Sequence, residues 1–326
     1  MANFKQHRKP GSIFPRLLAG IALSTSWPAL AGAQQVVNGF AVERFYPSAP
    51  GGGWFVMDGL SMSGGLGGAV SLTGGDAVNP LRITGPDGKQ RLTLVSQESF
   101  VDLGLAVTYD RYRFYLNLPV PVELAGTSGI LGSYQLTAPS VNIGKNPDTI
   151  SDTRLGFDTR LVGKPGSALR LGLGAQLLFP SGTRADYVTD ARYRAMFRFL
   201  AAGDARGFAY AGQLGVHIRP LNDFPAPGSP VGDELLFGIS AGRKIGLGSQ
   251  WAAIVGPEVF GETAFRSFPG GPTGTEALLT GRLERTGARS NLRIRLGVGH
   301  GIIQSFGAPE WRVLVSIEVS GQHPKS

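Results

Sequence analysis

Residues 169–182, with the sequence LRLGLGAQLLFPSG, decide the fold of this chain. Every second residue from Leu169 to Phe179 is apolar, whereas the positions between them begin with Arg170 and continue mainly as glycine and glutamine. Side chains alternate between the two faces of a β-strand, so the pattern predicts a strand with one apolar and one polar face. The class of protein depends on whether the apolar face packs against a protein core or against lipid.

The same alternation recurs in twelve segments of the sequence. They are residues 60–76, 96–109, 111–122, 152–162, 168–180, 191–201, 207–219, 233–244, 251–262, 275–286, 291–302 and 310–321. Most are roughly 10–14 residues long, whereas strands of soluble proteins most often have about five or six residues. Segments of this length fit tilted strands that cross a lipid bilayer.

The connections between these segments alternate between short and long. The five short connections lie around residue 110 and at 163–167, 203–206, 246–250 and 287–290. The other six are mostly longer and comprise residues 77–95, 123–151, 181–190, 220–232, 263–274 and 303–309. Outer-membrane barrels have short periplasmic turns and longer external loops. With an even number of strands, this pattern predicts that both termini lie on the periplasmic side.

The predicted fold class is all-β: an antiparallel up-and-down transmembrane β-barrel of about twelve strands, with counts of roughly 10–14 left open. A soluble β-sandwich is the alternative, because its strands also alternate. Strand length, polar faces rich in glycine and arginine, and aromatic residues near strand ends favour the barrel. These aromatic residues are Tyr109, Tyr112, Phe179, Phe199, Phe208, Trp251 and Trp311.

Two prolines fall within or near the predicted strands. Lipid offers no hydrogen-bond partner to backbone amides, so a sheet that spans a membrane must close on itself. Pro119 and Pro257 each lack the amide hydrogen that a strand ladder uses. We therefore expect both prolines at strand ends or bulges.

Composition excludes several classes of protein. Only 17% of the 326 residues are charged and the mean hydropathy is +0.03, which excludes a disordered chain. The absence of cysteine excludes a disulfide scaffold and a thiolate metal site. The net charge of +8 includes cationic residues near the N-terminus, and the other arginines are spread along the strands. Nucleic acid is therefore not an expected partner.

The first 33 residues have the features of a cleavable signal peptide. Basic residues come first, an apolar run begins at residues 17–23, and small residues at Ala31 and Ala33 complete two export cleavage sites. Polar residues and Pro28 interrupt the apolar run, which disfavours a retained membrane anchor. We expect cleavage after Ala33 and export of the mature chain.

The predicted organisation has four parts. They are a signal peptide at residues 1–33, a periplasmic N-terminal segment at 34–59, the barrel at 60–321 and a C-terminal tail at 322–326. The expected location is the outer membrane of a gram-negative bacterium.

No motif in the sequence makes a strong case for catalysis, a cofactor or a metal. Residues 238–242 match the G-x-S-x-G nucleophile elbow, but that motif needs a strand, a sharp turn and a helix, and Ser240 lies within a predicted strand. The four histidines lack metal-ligand spacing. The glycine-rich runs are not followed by the lysine of a phosphate loop. We predict a protein that is not an enzyme and that has no cofactor.

The polar faces of the strands are predicted to line the lumen. The arginines on these faces are Arg111, Arg113, Arg154, Arg160, Arg170, Arg192, Arg194, Arg198, Arg219, Arg282, Arg293, Arg295 and Arg312. The other polar-face residues are Asp102, Asp158, Glu234, Glu276, Glu284, Glu318 and His217. This excess of arginine fits either a lumen plugged by arginine–carboxylate pairs or a narrow pore whose basic wall favours anions.

An ordered series of short motifs resembles known barrels. The motifs are Arg44–Ser48, Val78–Leu81, Leu94–Ser96, Asn117–Val120, Thr153–Gly156, Leu177–Gly182, Glu234–Gly238 and Phe306–Arg312. In this order they resemble the N-terminal barrel of large OmpA-family outer-membrane proteins. The strand ending at residues 177–182 is also similar to transporter-like barrels of the meta-pathway phenol-degradation type. Proteins of the OmpA family usually continue into a periplasmic peptidoglycan-binding domain, and the resemblance here implies the barrel without that domain.

The expected function is a passive channel or porin-like element with a basic lumen that is narrow or plugged. The alternative is a structural or adhesive envelope protein whose external loops, especially residues 123–151, bind a partner. An enzyme that acts on lipid is a weaker third class. The expected partners are outer-membrane lipid and a small solute or ion, and the oligomeric state stays open.

Overall fold

The structure is a computed structural model. It describes residues 35–62, 64–85, 89–145, 149–221, 232–267, 273–287, 290–305 and 307–322. The signal peptide predicted for residues 1–33 and the tail beyond Gln322 lie outside the described residues.

The described chain contains sixteen β-strands. They are β1 (Gln35–Val36), β2 (Leu66–Thr84), β3 (Gln90–Tyr109), β4 (Tyr112–Ala125), β5 (Gly129–Leu131), β6 (Tyr134–Leu136), β7 (Val141–Asn142), β8 (Thr153–Val162), β9 (Arg170–Phe179), β10 (Arg194–Ala205), β11 (Phe208–Ile218), β12 (Glu234–Gly246), β13 (Trp251–Ala264), β14 (Thr273–Thr286), β15 (Ser290–Ile303) and β16 (Trp311–Gln322). Two short 3₁₀ turns accompany them, Arg184–Asp186 and Phe265–Ser267. No helix among the described residues is long and apolar enough to cross a membrane.

Twelve strands, β2–β4 and β8–β16, form one closed antiparallel barrel in which β16 pairs with β2. This confirms the predicted fold class and the count of twelve. One end of the barrel, called the short-turn end, carries the connections 110–111, 163–169, 206–207, 247–250 and 287–289. We call the opposite end the long-loop end.

The first predicted strand is displaced from its observed position. It was expected at residues 60–76, but β2 begins at Leu66 and extends to Thr84. Since β2 and β3 remain paired as far as Thr84 and Gln90, the long connection expected at 77–95 shrinks to 85–89. The alternation of short and long connections is therefore less strict than predicted.

The outer surface of the barrel is apolar. Along β9, Arg170 and every second residue after it are buried, whereas Leu173 exposes 48% of its surface. Aromatic side chains lie at both rims, with Tyr109 exposed at the short-turn end and Trp311 at the long-loop end. Phe199 was predicted near a strand end, but it lies in the middle of β10, because this strand extends to Ala205. The leucines of the decisive stretch therefore face outward, as a membrane barrel requires.

A charged residue on this outer surface is expected to destabilise the barrel. Leu173→Arg should lower the free energy of unfolding by about 2–4 kcal/mol, because a guanidinium at mid-strand has to enter the hydrocarbon. Denaturant titration of the barrel in lipid vesicles measures the change. The control is Leu169→Arg, at the exposed rim just before β9. Equal losses for the two variants would contradict a lipid-facing Leu173.

Both prolines lie within strands, beside a gap in one neighbouring ladder, rather than at the strand ends or bulges expected. Pro119 lies in β4 beyond the region that pairs with β8, which covers only residues 112–117 of β4. Pro257 pairs with β14, but the ladder between β12 and β13 is interrupted at its level, between residues 240 and 243. Each proline therefore occupies a position where one neighbouring strand makes no ladder contact.

The remaining short strands lie at the long-loop end. β5 and β6 form a hairpin within the connection between β4 and β8, and β1 adds to it in parallel. Leu136 of this hairpin is fully buried in a cluster with Phe40 and Tyr187. The loop predicted at 123–151 therefore packs against the N-terminal part of the chain and helps to cover that end of the barrel.

Candidate functional site: the occupied barrel lumen

The lumen contains a stretch of the chain's own backbone, residues 37–62, which we call the lumen segment. It follows β1 at the long-loop end and leads into β2 at the short-turn end. Most of its residues are buried, and Trp54 exposes only 1% of its surface. Twelve strands enclose more space than their own side chains fill, and the apolar residues of the segment occupy that space.

This placement corrects two expectations. From Gly39 onward, most residues of the segment predicted at 34–59 are buried inside the barrel rather than lying in the periplasm. Gln35 and Val36 lie at the long-loop end, where they pair with β6, so the N-terminal end of the described chain is not on the side of the short turns.

At the long-loop end, a cluster of charges fastens the start of the lumen segment. Arg219, which directly follows β11, makes a two-point contact with Asp190, with Nε–Oδ2 and Nη2–Oδ1 distances of 2.8 Å each. Asp190 also accepts the backbone N–H of Ala41 at 2.8 Å. Arg44 of the segment donates to Glu234 at 3.0 Å, and Arg219 contacts the same carboxylate. The segment therefore enters the barrel through bonds to both strands and loops.

The pKa values of two loop carboxylates beside this cluster are shifted in opposite directions. Burial by itself would raise the pKa of Asp190, but the attraction of Arg219 and Arg194 outweighs it and holds this pKa well below its usual range. Burial raises the pKa of Asp152, although Arg194 partly offsets the rise. Asp190 is thus the carboxylate that keeps its charge as the pH falls.

A second ionic anchor joins the segment to β16. Glu43 makes a two-point contact with Arg312, with both nitrogen–oxygen distances equal to 3.0 Å. Arg312 also donates to Glu276 of β14 at 2.8 Å. Charge-assisted pairs of this geometry are the stronger hydrogen bonds of proteins.

In the middle of the barrel, one wall carboxylate binds the backbone of the segment. Glu258 of β13 accepts the N–H groups of Phe55 at 2.9 Å and Val56 at 3.0 Å, and it is fully buried. Arg295 donates to the carbonyl of Trp54 at 2.7 Å. These bonds satisfy backbone groups that would otherwise be unpaired inside the barrel.

The same region is the apolar core of the molecule. It consists of Phe45, Trp54, Phe55, Val56 and Met57 of the segment together with Phe100, Ala202, Ala209, Ala211, Ile254, Phe260, Leu278 and Leu314 of the wall. The ring centroid of Phe45 lies 5.8 Å from that of Phe100 and 6.1 Å from that of Phe260. The middle of the lumen is therefore filled by packed protein.

Toward the short-turn end, arginines of the wall hold the last part of the segment. Arg113 of β4 pairs with Asp58 of the segment and, at 2.7 Å, with Asp158 of β8. Arg170 donates to the carbonyl of Gly59 at 2.9 Å, and Arg160 donates to the carbonyl groups of residues 60 and 62. The segment is thus bonded to the wall along its whole length.

The predicted lumen residues have three different positions. Those buried within the barrel or its long-loop end are Arg113, Arg154, Asp158, Arg160, Arg170, Arg194, Arg198, His217, Arg219, Arg295, Arg312 and Glu318. Those at the short-turn end with partial exposure are Arg282, Glu284 and Arg293. Arg111 and Arg192 are exposed, so their expected position in the lumen is wrong, because both lie in connections rather than strands.

The buried charges are balanced. The buried arginines are Arg44, Arg113, Arg154, Arg160, Arg170, Arg194, Arg198, Arg219, Arg295 and Arg312. The buried carboxylates are Asp58, Glu98, Asp102, Asp152, Asp158, Asp190, Glu234, Glu258, Glu262, Glu276 and Glu318. The described interior is therefore not net basic. Strand alternation gives no information on Asp58 and Asp190, because they belong to the lumen segment and to a loop. Asp152 begins the strand predicted at 152–162 but lies just before β8.

The structure also brings together one cluster with metal-ligand chemistry. Ligand atoms of His217, Glu234 and Glu262 lie within 4.8 Å of one another. Arg44 already contacts both carboxylates, at 3.0 and 3.3 Å, and Arg219 contacts Glu234 at 3.0 Å. These guanidinium groups neutralise the two carboxylates. The cluster therefore belongs to the group of charges that binds the start of the lumen segment at the long-loop end.

Two cavities remain near the ends of the lumen. One of about 50 Å³ lies toward the long-loop end beside Tyr46, Phe100 and Pro119. The other, of about 240 Å³, is polar and lies at the short-turn end beside Trp54 and Arg282. The apolar core of the lumen segment lies between these two levels.

Comparisons with solved structures agree with this architecture. An outer membrane channel from Pseudomonas putida F1 has a TM-score of 0.50 at 12% identity, over 79% of this chain and 95% of that one. The NanC porin has a TM-score of 0.45 at 8% identity, over 78% and 100% of the two chains. CymD, a monoaromatic hydrocarbon channel, has a TM-score of 0.43 at 11% identity, over 82% and 90%.

At these identities the likeness shows the fold, which is that of bacterial outer-membrane β-barrels. This fold confirms the expected outer-membrane location. No family model matches the sequence, and no curated protein is similar to it. The resemblance to the OmpA family stays a prediction.

Proposed function

We propose that this chain is an outer-membrane channel whose lumen is closed, in the state described, by its own N-terminal lumen segment. The observation that carries the proposal is what fills the lumen. The space inside the barrel is filled by a separate stretch of chain, residues 37–62, and not only by side chains of the strands. A plug of this kind can shift without breaking the barrel ladder.

The contacts between segment and wall suit reversible closure. Besides the apolar core, they are ion pairs and hydrogen bonds, such as Glu43–Arg312 and Arg113–Asp58, and no disulfide joins the two. Water can replace each of these partners if the segment moves. The polar strand faces would then line an aqueous path for a small solute or ion.

The balance of charge bears on selectivity. One of the two expectations was a narrow pore whose basic wall favours anions, whereas the buried arginines are matched by carboxylates. We infer that an opened lumen discriminates only weakly between small anions and cations. Reversal potentials across a salt gradient measure this preference.

The adhesive alternative has less support from the described contacts. The hairpin of β5 and β6 uses its strand edge for β1 and buries Leu136 against the lumen segment. These contacts favour a covering role within the same chain. Binding of an external partner by this loop stays a prediction.

We also propose that the barrel is not an enzyme. Ser240, the serine of the G-x-S-x-G motif, lies within β12 and donates to the carbonyl of Ala211 at 3.4 Å. None of the described contacts joins it to a histidine. A nucleophile elbow needs a sharp turn at the serine, and a continuous strand does not provide one.

Single-channel recording in planar lipid bilayers tests the proposed function. The purified protein, shown to be folded by its heat-modifiable migration in gels, should give brief and small current steps. Liposome swelling with small sugars gives an independent measure of passage. A folded barrel that produces neither current nor swelling, with or without the lumen segment, would contradict the channel proposal.

A further inference from the structure

The polar cavity at the short-turn end, which we call the vestibule, has an excess of positive charge. It has a volume of about 240 Å³, and Trp54 of the lumen segment forms part of its wall. Its cationic lining residues are Arg170, Lys244, Arg282 and Arg293, and its acidic lining residues are Asp204 and Glu284. This local excess differs from the balanced interior of the barrel.

Arg282 is the arginine of the vestibule with the weakest pairing. Its contact with a carboxylate joins Nε to Oε1 of Glu284 at 3.3 Å. The same Oε1 accepts a shorter bond, 2.7 Å, from Nε of Arg293. Within the described part of the chain, the buried Nε of Arg282 has no hydrogen-bond partner. By contrast, Arg312 makes a contact of 3.0 Å or less with each of two carboxylates.

The neighbours of Arg282 also leave its positive charge poorly compensated. Arg295 lies directly opposite it in the ladder between β14 and β15, and like charges in this position repel each other. Arg295 itself donates to the Trp54 carbonyl and to Ser316 and lies 3.7 Å from Glu318. The guanidinium carbon of Arg282 lies 4.8 Å from the centroid of the Trp54 ring, which holds the group in place.

Lys244 supplies a second cation at the rim of the same cavity. It lies on β12, opposite Ile254, which in turn pairs with Arg282 on the next strand. Lys244 is exposed, whereas the side chain of Arg282 is 9% exposed. A solute that enters from the short-turn end therefore meets a mobile ammonium first and a fixed guanidinium behind it.

We propose that the vestibule is a binding site for a small oxyanion, a carboxylate or inorganic phosphate, held by Arg282 and Lys244. The planar guanidinium provides two donors in a geometry that matches either anion. The polar lining and the volume suit a ligand of a few heavy atoms. The site does not depend on conduction, so the binding proposal and the channel proposal can fail separately.

Titration calorimetry on the full-length barrel in detergent tests the site. Sodium phosphate and sodium acetate are titrated separately at constant ionic strength, so that general screening by salt is equal. We expect saturable binding of at least one anion, and the tighter of the two identifies the preferred oxyanion. Arg282→Gln and Lys244→Gln should each weaken that binding by about tenfold, as expected for loss of one charged hydrogen bond.

Arg243→Gln is the matched control, because Arg243 is adjacent to Lys244 but lies on the opposite wall face, over the ring of Phe208. Its affinity should equal that of the wild type. The exposed Lys244→Gln variant keeps the test valid if the buried Arg282→Gln variant does not fold. Absence of saturable binding by the wild type, or equal affinities for Lys244→Gln and the control, would overturn the proposal.

Discussion

Deletion of the lumen segment is expected to increase single-channel conductance by about tenfold or more, because twelve strands enclose a space wider than their own side chains fill. The variant lacks residues 37–62 and keeps all twelve barrel strands. Recordings in planar bilayers, made on protein with heat-modifiable migration, compare it with the full-length chain. Conductance equal to that of the full-length protein would show that the segment does not close the path.

A second variant keeps the segment but removes two of its ion pairs with the wall, Glu43–Arg312 and Asp58–Arg113, through Glu43→Gln and Asp58→Asn. The wall stays paired in this variant, because Arg312 retains Glu276 and Arg113 retains Asp158. The apolar core contacts of the segment also remain. We therefore expect longer open times and a conductance between those of the full-length and deleted proteins.

The second large effect is expected at Arg113. Arg113→Met should lower the free energy of unfolding by about 3–5 kcal/mol, because it leaves a buried carboxylate without its cation. Asp58 is the affected partner, whereas Asp158 retains Arg198 at 3.0 Å. Denaturant titration in lipid vesicles measures the loss.

Two further variants identify the cause of that loss. Adding Asp58→Asn to Arg113→Met should recover part of the stability, because it removes the uncompensated charge. Arg111→Met is the matched control two residues earlier, at an exposed position, and should change stability by less than about 0.5 kcal/mol. No recovery in the double variant would mean that Arg113 acts through packing rather than through its charge pair with the segment.

The barrel strands are predictable from the sequence because lipid and lumen impose opposite demands on alternate residues. In β9, Leu173 and Leu177 face outward, whereas Arg170 and Gln176 face inward. A shift by one residue would exchange the two faces, so the pattern also specifies the strand positions. β13 is less regular because its inner face includes Ile254 and Phe260, so that both faces are partly apolar.

The position of the lumen segment does not follow from alternation. Protein surrounds most of residues 37–62, so the segment has neither a strand period nor a helix period. Its composition contains the missed signal: Phe45, Trp54, Phe55 and Met57 are too apolar for an exposed periplasmic stretch. Inward-facing Leu200 and Leu314 were a second signal, because apolar residues on a lumen face need an apolar partner inside.

The balance of charge could be predicted only in part from the strand pattern. Arginines on strand faces are visible in the sequence as alternating positions, and most of the predicted ones are buried. Their partners Asp58 and Glu43 come from the lumen segment, and Asp190 comes from a loop. A count that leaves out Glu98, Glu258 and Glu262, which lie on β3 and β13, together with these carboxylates outside the strands, therefore overestimates how basic the lumen is.

The position of the lumen segment is the central claim, and thiol accessibility tests it most directly. The chain has no cysteine, so a single Ala49→Cys substitution places one thiol at a residue that is 1% exposed. Ser133→Cys and Lys164→Cys, exposed at the long-loop and short-turn ends, are the controls. We predict that a water-soluble maleimide, added to the folded protein in detergent, labels both controls fully while Ala49→Cys stays unlabelled until the protein is unfolded by heat. Labelling of Ala49→Cys in the folded protein as fast as the controls would contradict a segment inside the barrel.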